Sequence, residues 1–213
     1  METTWLRHPA TWLTIAAAAV MGSIMTFSYI GGFLDPLGHL HDAPLAIVNQ
    51  DAGADVAGIR LEAGQQVEDE LVAGAGDRVG WQRLGSEAEA RRKLRDNELW
   101  GAIVIPEDFS SSIAEIGTSQ GTAPAAQLGI LTNEGSGFFQ STFVETLSDT
   151  AVDKTAEQTS QQLVERLDQA HVTITAAGAA TLGRPVVDDT EAVVKLPEKS
   201  GRSLAPFYLA VML

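Results

Sequence analysis

The 213-residue chain has no cysteine. Disulfides, a thiolate nucleophile and a Cys-ligated metal are therefore excluded. An exported domain of this kind holds together through its core alone, which fits a bacterial cell-surface protein. Basic residues are scarce, with 14 Lys and Arg against 28 Asp and Glu and a formal net charge of −14. Apart from Glu2 and Arg7, all formal charge lies after Leu34, where 27 acidic face 13 basic residues. A nucleic-acid surface needs clustered Lys and Arg, so no nucleic-acid partner is expected. The same balance argues against docking on anionic lipid through charge.

Catalytic signatures are missing as well. There is no GxGxxG, no Walker-type phosphate loop and no HExxH. Gly135-Ser136-Gly137 lacks the flanking spacing of GxSxG, and Ser110-Ser111-Ser112 has no histidine at a motif distance. His39 and His41 lie two apart with no third ligand at motif spacing, and read as loop positions in solvent. His8 is on the expected cytoplasmic side, His171 stands alone in a helix, and Asp188-Asp189 reads as a solvated loop pair. No catalytic, cofactor-binding or metal-binding residue is assigned, no cofactor is expected, and the chain is read as a non-enzyme.

What the sequence does hold is one long uncharged run, Pro9 to Leu34 (PATWLTIAAAAVMGSIMTFSYIGGFL). At about 1.5 Å per residue, roughly 20 helical residues cross a hydrocarbon core of about 30 Å. A cleaved signal peptide needs a shorter apolar core followed by an A-x-A-like site, and Gly31-Gly32-Phe33-Leu34-Asp35-Pro36 offers none. Arg7 before the run and Asp35 and Asp42 after it place the N-terminus in the cytoplasm. Thr14, Ala18, Gly22 and Thr26 share one helical face, where small residues let a second span approach. The apolar signal returns at Leu204 to Leu213 (LAPFYLAVML). The expected organisation is residues 1–10 cytoplasmic, 11–34 a first transmembrane helix, 35–203 an extracytoplasmic α/β domain, and 204–213 the start of a second span.

Within the middle, Leu45–Asn49, Val79–Leu84, Trp100–Ile105 and Gln127–Thr132 read as strands. Ile59 to Val72 reads as an amphipathic helix with Glu68, Asp69 and Glu70 outward, ended by Gly74 and Gly76. Ser86-Glu87-Ala88-Glu89 is a capping box opening a helix to Leu94. Its Arg91, Arg92, Lys93 and Arg95 read as part of a solvated mixed-charge surface. After Pro106, Glu107-Asp108-Phe109-Ser110 starts a helical turn. Gly137 to Leu182 lacks proline and reads as one long helix, about 137–182, or a helical pair, with the polar stretch Asp153 to Gln162 clear of the core. Val186-Val187 and Ala192-Val193-Val194 read as weak extended segments. The alternation predicts a mixed, largely parallel sheet with covering helices.

Four stretches in order, Pro44 to Gly53 (PLAIVNQDAG), Glu87 to Ser110 with its WGAIVIPEDFS, Leu131-Thr132-Asn133-Glu134 and Ser203 to Tyr208 (SLAPFY), resemble the YhgE/Pip family over about residues 10–213. These are ABC-2-type permease-like membrane proteins. The resemblance implies a bundle of about six spans with the outer domain between the first and second, in a lipid bilayer. It further implies a homo- or heterodimer of permeases, a separate ATP-binding subunit, and an outer domain that gates or guides substrate exit. It transfers no catalytic residue, and Asp51, Pro106 and Asp108 look structural. Two other readings fit span–domain–span. One is a surface receptor or scaffold, phage-receptor-like or associated with type VII secretion. The other is an extracytoplasmic sensor.

Overall fold

The computed structural model describes residues 9–34, 40–56, 58–119, 122–169, 171 and 176–197. The expected cytoplasmic segment up to residue 8 and the second span at 204–213 lie outside the described residues. The uncharged run forms one helix, α1 (Pro9–Leu34), 26 residues long. Its side chains are described at 12–24, 26 and 27, with Leu13, Met21 and Phe27 exposed. Among the described residues no helix is long and apolar enough to cross a membrane. The chain divides into two compact units, 1–40 and 41–213.

The second unit is built on a five-stranded sheet. Its strands are β1 (Ala43–Asn49), β4 (Val79–Arg83), β5 (Gly101–Ile105), β6 (Ala126–Asn133) and β7 (Val186–Val194), in the order β4-β1-β5-β6-β7. The pairs β1–β4, β1–β5 and β6–β7 are parallel, and β5–β6 is antiparallel. The sheet is thus mixed and largely parallel, as the alternation predicts. β1 and β5 read as near-continuous apolar runs because both their faces are covered.

The single antiparallel step has a topological result. Leu45 pairs with Gly101, Gly101 with Thr132, and Thr132 with Ala192. The start of β1 and the end of β7 therefore lie on the same edge of the sheet. Three strand spacings of about 4.8 Å put them about 14 Å apart.

One face of the sheet carries α2 (Ala63–Ala75), α4 (Phe109–Thr118), α5 (Phe138–Gln169) and α6 (Ala176–Gly183) over a core that includes Ile47, Ile103, Ile105, Phe109, Ile116, Leu128 and Ile130. The other face carries α3 (Glu87–Arg95) over Ala46, Val48, Ala102, Val104 and Leu131. The Ser86 cap forms as read: its hydroxyl accepts the Glu89 N–H at 3.3 Å.

Several readings change. Ile59–Leu61 is not helical but forms β3, an antiparallel hairpin with β2 (Ala54–Val56). Gly58, at φ +80°, forms its turn, and its N–H is held by Asp55 Oδ1 at 3.0 Å. Glu68 turns inward and is 7 % exposed. Of the two readings of the proline-free stretch, the helical pair is the one that forms, not a single helix to residue 182. α5 stops at Gln169 and α6 starts at Ala176, with His171 at φ +54° between them; a positive φ ends α-helical propagation. The polar middle of α5 does not stand clear of the core. Within Asp153 to Gln162, Thr155 and Ala156 are buried, small side chains that continue the buried face of Ala151 and Val152. At its start the same helix seats Val144 over Gly101, where an added Cβ would come within 2.5 Å of Val144 Cγ1. Finally, Val186–Val194 is one continuous nine-residue edge strand, and Asp188-Asp189 lies in that strand and not in a loop.

Candidate functional site

The carboxyl ends of adjacent parallel strands are where open α/β sheets bind ligands, helped by the positive ends of the helices that follow. Here β1 and β5 end side by side. The loops that follow stay zipped together, Gln50 N donating to Ile105 O at 2.9 Å and Ala52 N to Glu107 O at 3.0 Å. The N-termini of α2 and α4 converge on this point.

The anion they receive is the chain's own. Asp51 Oδ1 accepts Ser110 N–H at 2.9 Å, and Asp51 Oδ2 accepts Gly64 N–H at 3.0 Å and the Ser110 hydroxyl at 2.5 Å. Ser110 Oγ in turn accepts the Ala63 N–H at 2.8 Å. One carboxylate thus caps the second residue of both helices, and its charge sits at two positive dipole ends. Asp108 occupies the nominal cap of α4 but makes no side-chain cap bond; the cap comes from Asp51, far back in the sequence. Pro106 ends β5 and its carbonyl accepts Phe109 N–H at 3.2 Å.

A second layer joins through Asn49. Its side-chain oxygen accepts Asp51 N–H at 3.1 Å, while its amide donates to Glu68 Oε2 at 3.0 Å. The other Glu68 oxygen accepts Arg83 Nε at 2.5 Å. A buried carboxylate needs such partners, because an unpaired charge away from water is costly. Asn49, Asp51, Glu68, Arg83 and Ser110 therefore form one polar network, and its donors and acceptors are turned on each other.

At the opposite edge, the third resembling stretch does the same kind of work. Asn133 is 2 % exposed; its amide donates to Leu94 O and to Asn97 Oδ1, both at 3.0 Å, and its oxygen accepts Gly135 N–H at 2.9 Å. Glu134 Oε2 accepts Leu196 N–H at 2.8 Å, tying down the chain as it leaves β7.

The basic cluster on α3 divides. Arg91 is not a freely solvated charge. It is gripped by Glu191 of β7 through two bonds of 2.8 and 2.6 Å, and by Glu87 at 2.6 Å. These carboxylates, Glu191 first, hold its guanidinium more firmly protonated than usual. The Arg91 hydrogen bond in turn lowers the Glu191 pKa below its ordinary 4.5. A depressed folded-state pKa stabilises the fold above the ordinary value and loses that contribution as pH falls through the lower one. Thermal midpoints should therefore drop below about pH 4.5, and Glu191→Gln should flatten that part of the midpoint-against-pH curve while leaving neutral pH little changed. The effect is small, because the pair is at the surface.

Other candidates stay apart. His41 pairs with Asp77 at 3.3 Å with both side chains exposed. His171 bonds Asp168 O, and His39 lies outside the described residues. Ser110 meets a carboxylate but no histidine, so it lacks the base of a nucleophile pair. Among the described residues no group of three His, Asp or Glu is placed to hold a metal. A hollow between α2 and α5, over Val67, Ile113 and Leu163, measures 30 Å³; one beside Arg91, over Val104 and Gly129, measures 160 Å³. The arrangement is one of mutual support between loops.

Residues 15–191 match the family described as a protein of unknown function (DUF3533). The chain belongs to the DUF3533 family. It is also 25 % identical over 137 residues to the uncharacterised protein YhgE of Bacillus subtilis (strain 168). That match takes in 64 % of the DUF3533 chain but only 17 % of YhgE. The YhgE-like resemblance read in PLAIVNQDAG and WGAIVIPEDFS is thus met by a relative of that name. Of the residues it singles out, Asp51 caps both helices and Pro106 ends β5, while Asp108 makes no side-chain cap bond and Ser110, two residues on, is the partner of Asp51. A crystal structure of a domain provisionally named as part of an ABC type-2 transporter from Thermotoga maritima MSB8 is similar at 20 % identity and a TM-score of 0.40, over 78 % of this chain and 99 % of that one.

Proposed function

We propose that the DUF3533 chain is the leading part of an ABC-2-type permease, with α1 crossing the bilayer and the α/β unit outside, inserted between the first span and the next. The observation that carries this reading is the return of the sheet to its starting edge. A 26-residue uncharged helix precedes β1, and β7, running opposite to β1, brings the chain back to the same edge about 14 Å from where β1 began. A domain inserted between two spans needs that geometry. In this reading a separate ATPase drives the rocking of paired permeases, and the outer unit guides exit by moving as one body. The saturated Asp51 network supports a rigid element here and gives no support to catalysis.

Two measurements test it. The chain has no native cysteine, so an Asp55→Cys variant should react with a membrane-impermeant maleimide on intact cells, and a Glu2→Cys variant only after lysis. The reverse pattern would overturn the orientation. Purified from its host in mild detergent, the full-length protein should bring an ATP-binding subunit with it and stimulate its ATP hydrolysis. Capture of an extracellular protein with no ATPase would favour the receptor reading instead.

A further inference from the structure

The edge of the sheet at which the chain enters and leaves is also where the exposed aromatic side chains of the second unit gather. Trp100 immediately precedes β5, and Phe138 and Phe139 follow β6 and its short turn at Glu134–Ser136; both positions lie on the edge shared by the start of β1 and the end of β7. Phe139 is 39 % exposed, and Phe138 and Trp100 are half-buried. The rings are held in place: Phe138 and Phe139 meet edge to face with centroids 5.6 Å apart, and Trp100 meets Phe143 likewise at 6.4 Å. The opposite edge, with Asn49, Asp51, Glu107 and the β2–β3 hairpin, has no exposed aromatic side chain among its described residues; Val164 of α5, beside Leu163 near the hairpin, is exposed but aliphatic.

Aromatic rings with one apolar side and one wet side are stabilised at the headgroup level of a bilayer. From the shared edge and the ordered rings, we infer that Trp100, Phe138 and Phe139 form a membrane-facing rim that rests in the headgroup region of the outer leaflet. This rests on the reading that α1 crosses the bilayer. In the sequence only residues 35–42 join α1 to the start of β1, and β7 ends at that same edge of the sheet. Asp42, Asp77, Asp96 and Glu98 share the rim with exposed Arg78, Arg95 and Lys195, so its charge is mixed and the contact is assigned to the rings.

The test uses the whole chain in phosphatidylcholine vesicles with single cysteines at three positions, Val20→Cys, Phe139→Cys and Asp55→Cys, each bearing an environment-sensitive fluorophore. The inference expects blue-shifted emission and quenching by brominated lipid at 20 and at 139, and neither at 55. Lipid-like signals at 20 with position 139 as aqueous as 55 would overturn the rim while leaving the span intact. An aqueous signal at 20 would overturn the span and the rim with it. If Phe139→Cys does not fold, Gln140→Cys keeps both rings and gives the same comparison.

Discussion

Replacing Asp51 by alanine is expected to lower the stability of the α/β unit by about 3–5 kcal/mol. Each helix cap is worth about 1 kcal/mol, and each buried donor left without an acceptor costs about 1–3 kcal/mol. Asp51 serves Ser110 N–H, Gly64 N–H and the Ser110 hydroxyl together, so its removal strips two helix starts at once. Urea unfolding followed by circular dichroism should show a lower midpoint with little change in slope, the signature of lost stability without a changed compactness. Asp51→Asn should fall between, because one oxygen still accepts while the new NH₂ faces the Gly64 N–H. A loss of under about 0.5 kcal/mol for Asp51→Ala, the size of an ordinary surface substitution, would mean that the junction does not hold the helices.

Gly64→Ala should be the second severe change, against its local propensity. Alanine in place of glycine within a helix usually gains up to about 1 kcal/mol. At position 64 the added Cβ would lie 2.4 Å from Asp51 Cβ and 2.8 Å from Asp51 Oδ2. The nearest atom is next to the backbone and cannot swing away, so the carboxylate must leave its caps or the helix must shift. A net destabilisation of about 2–4 kcal/mol follows from overpacking plus lost capping. The double-mutant cycle is decisive: in an Asp51→Gly background the obstacle is gone, and Gly64→Ala should cost nothing or stabilise. Equal costs in both backgrounds would place the strain elsewhere.

The sequence revealed elements whose signals are local. β1, β5 and β6 are short apolar runs closed by polar or proline residues, β4 shows by its alternation, and Ser86 with Glu89 marks the start of α3 directly. β7 was harder to see because Asp188, Asp189 and Glu191 break its apolar pattern; an edge strand is free to carry charge, and acids there also deter pairing with another chain. The middle of α5 looked polar because Thr155 and Thr159 are polar by composition, yet small enough to pack. Glu68 sat in a run of three acids, and only the fold shows that Arg83 and Asn49 receive it. The Ser of EDFS reads only as part of a helical start, while the Asp of VNQD was legible as a structural position. Their meeting was not, since a contact between positions 51 and 110 depends on β1 and β5 lying side by side.

Seen from the rest of the polypeptide, the unit from Ala43 to Val194 behaves like a short loop. Two packed helices stand about 8–10 Å apart, and a gap of about 14 Å between chain ends is only slightly wider. More than a hundred residues can thus be placed between two neighbouring spans without forcing them apart, at little more entropic cost than a hairpin connection of the same reach. On the proposed reading that the unit lies between two spans, it should be removable as a cassette, its two ends rejoined by a few flexible residues.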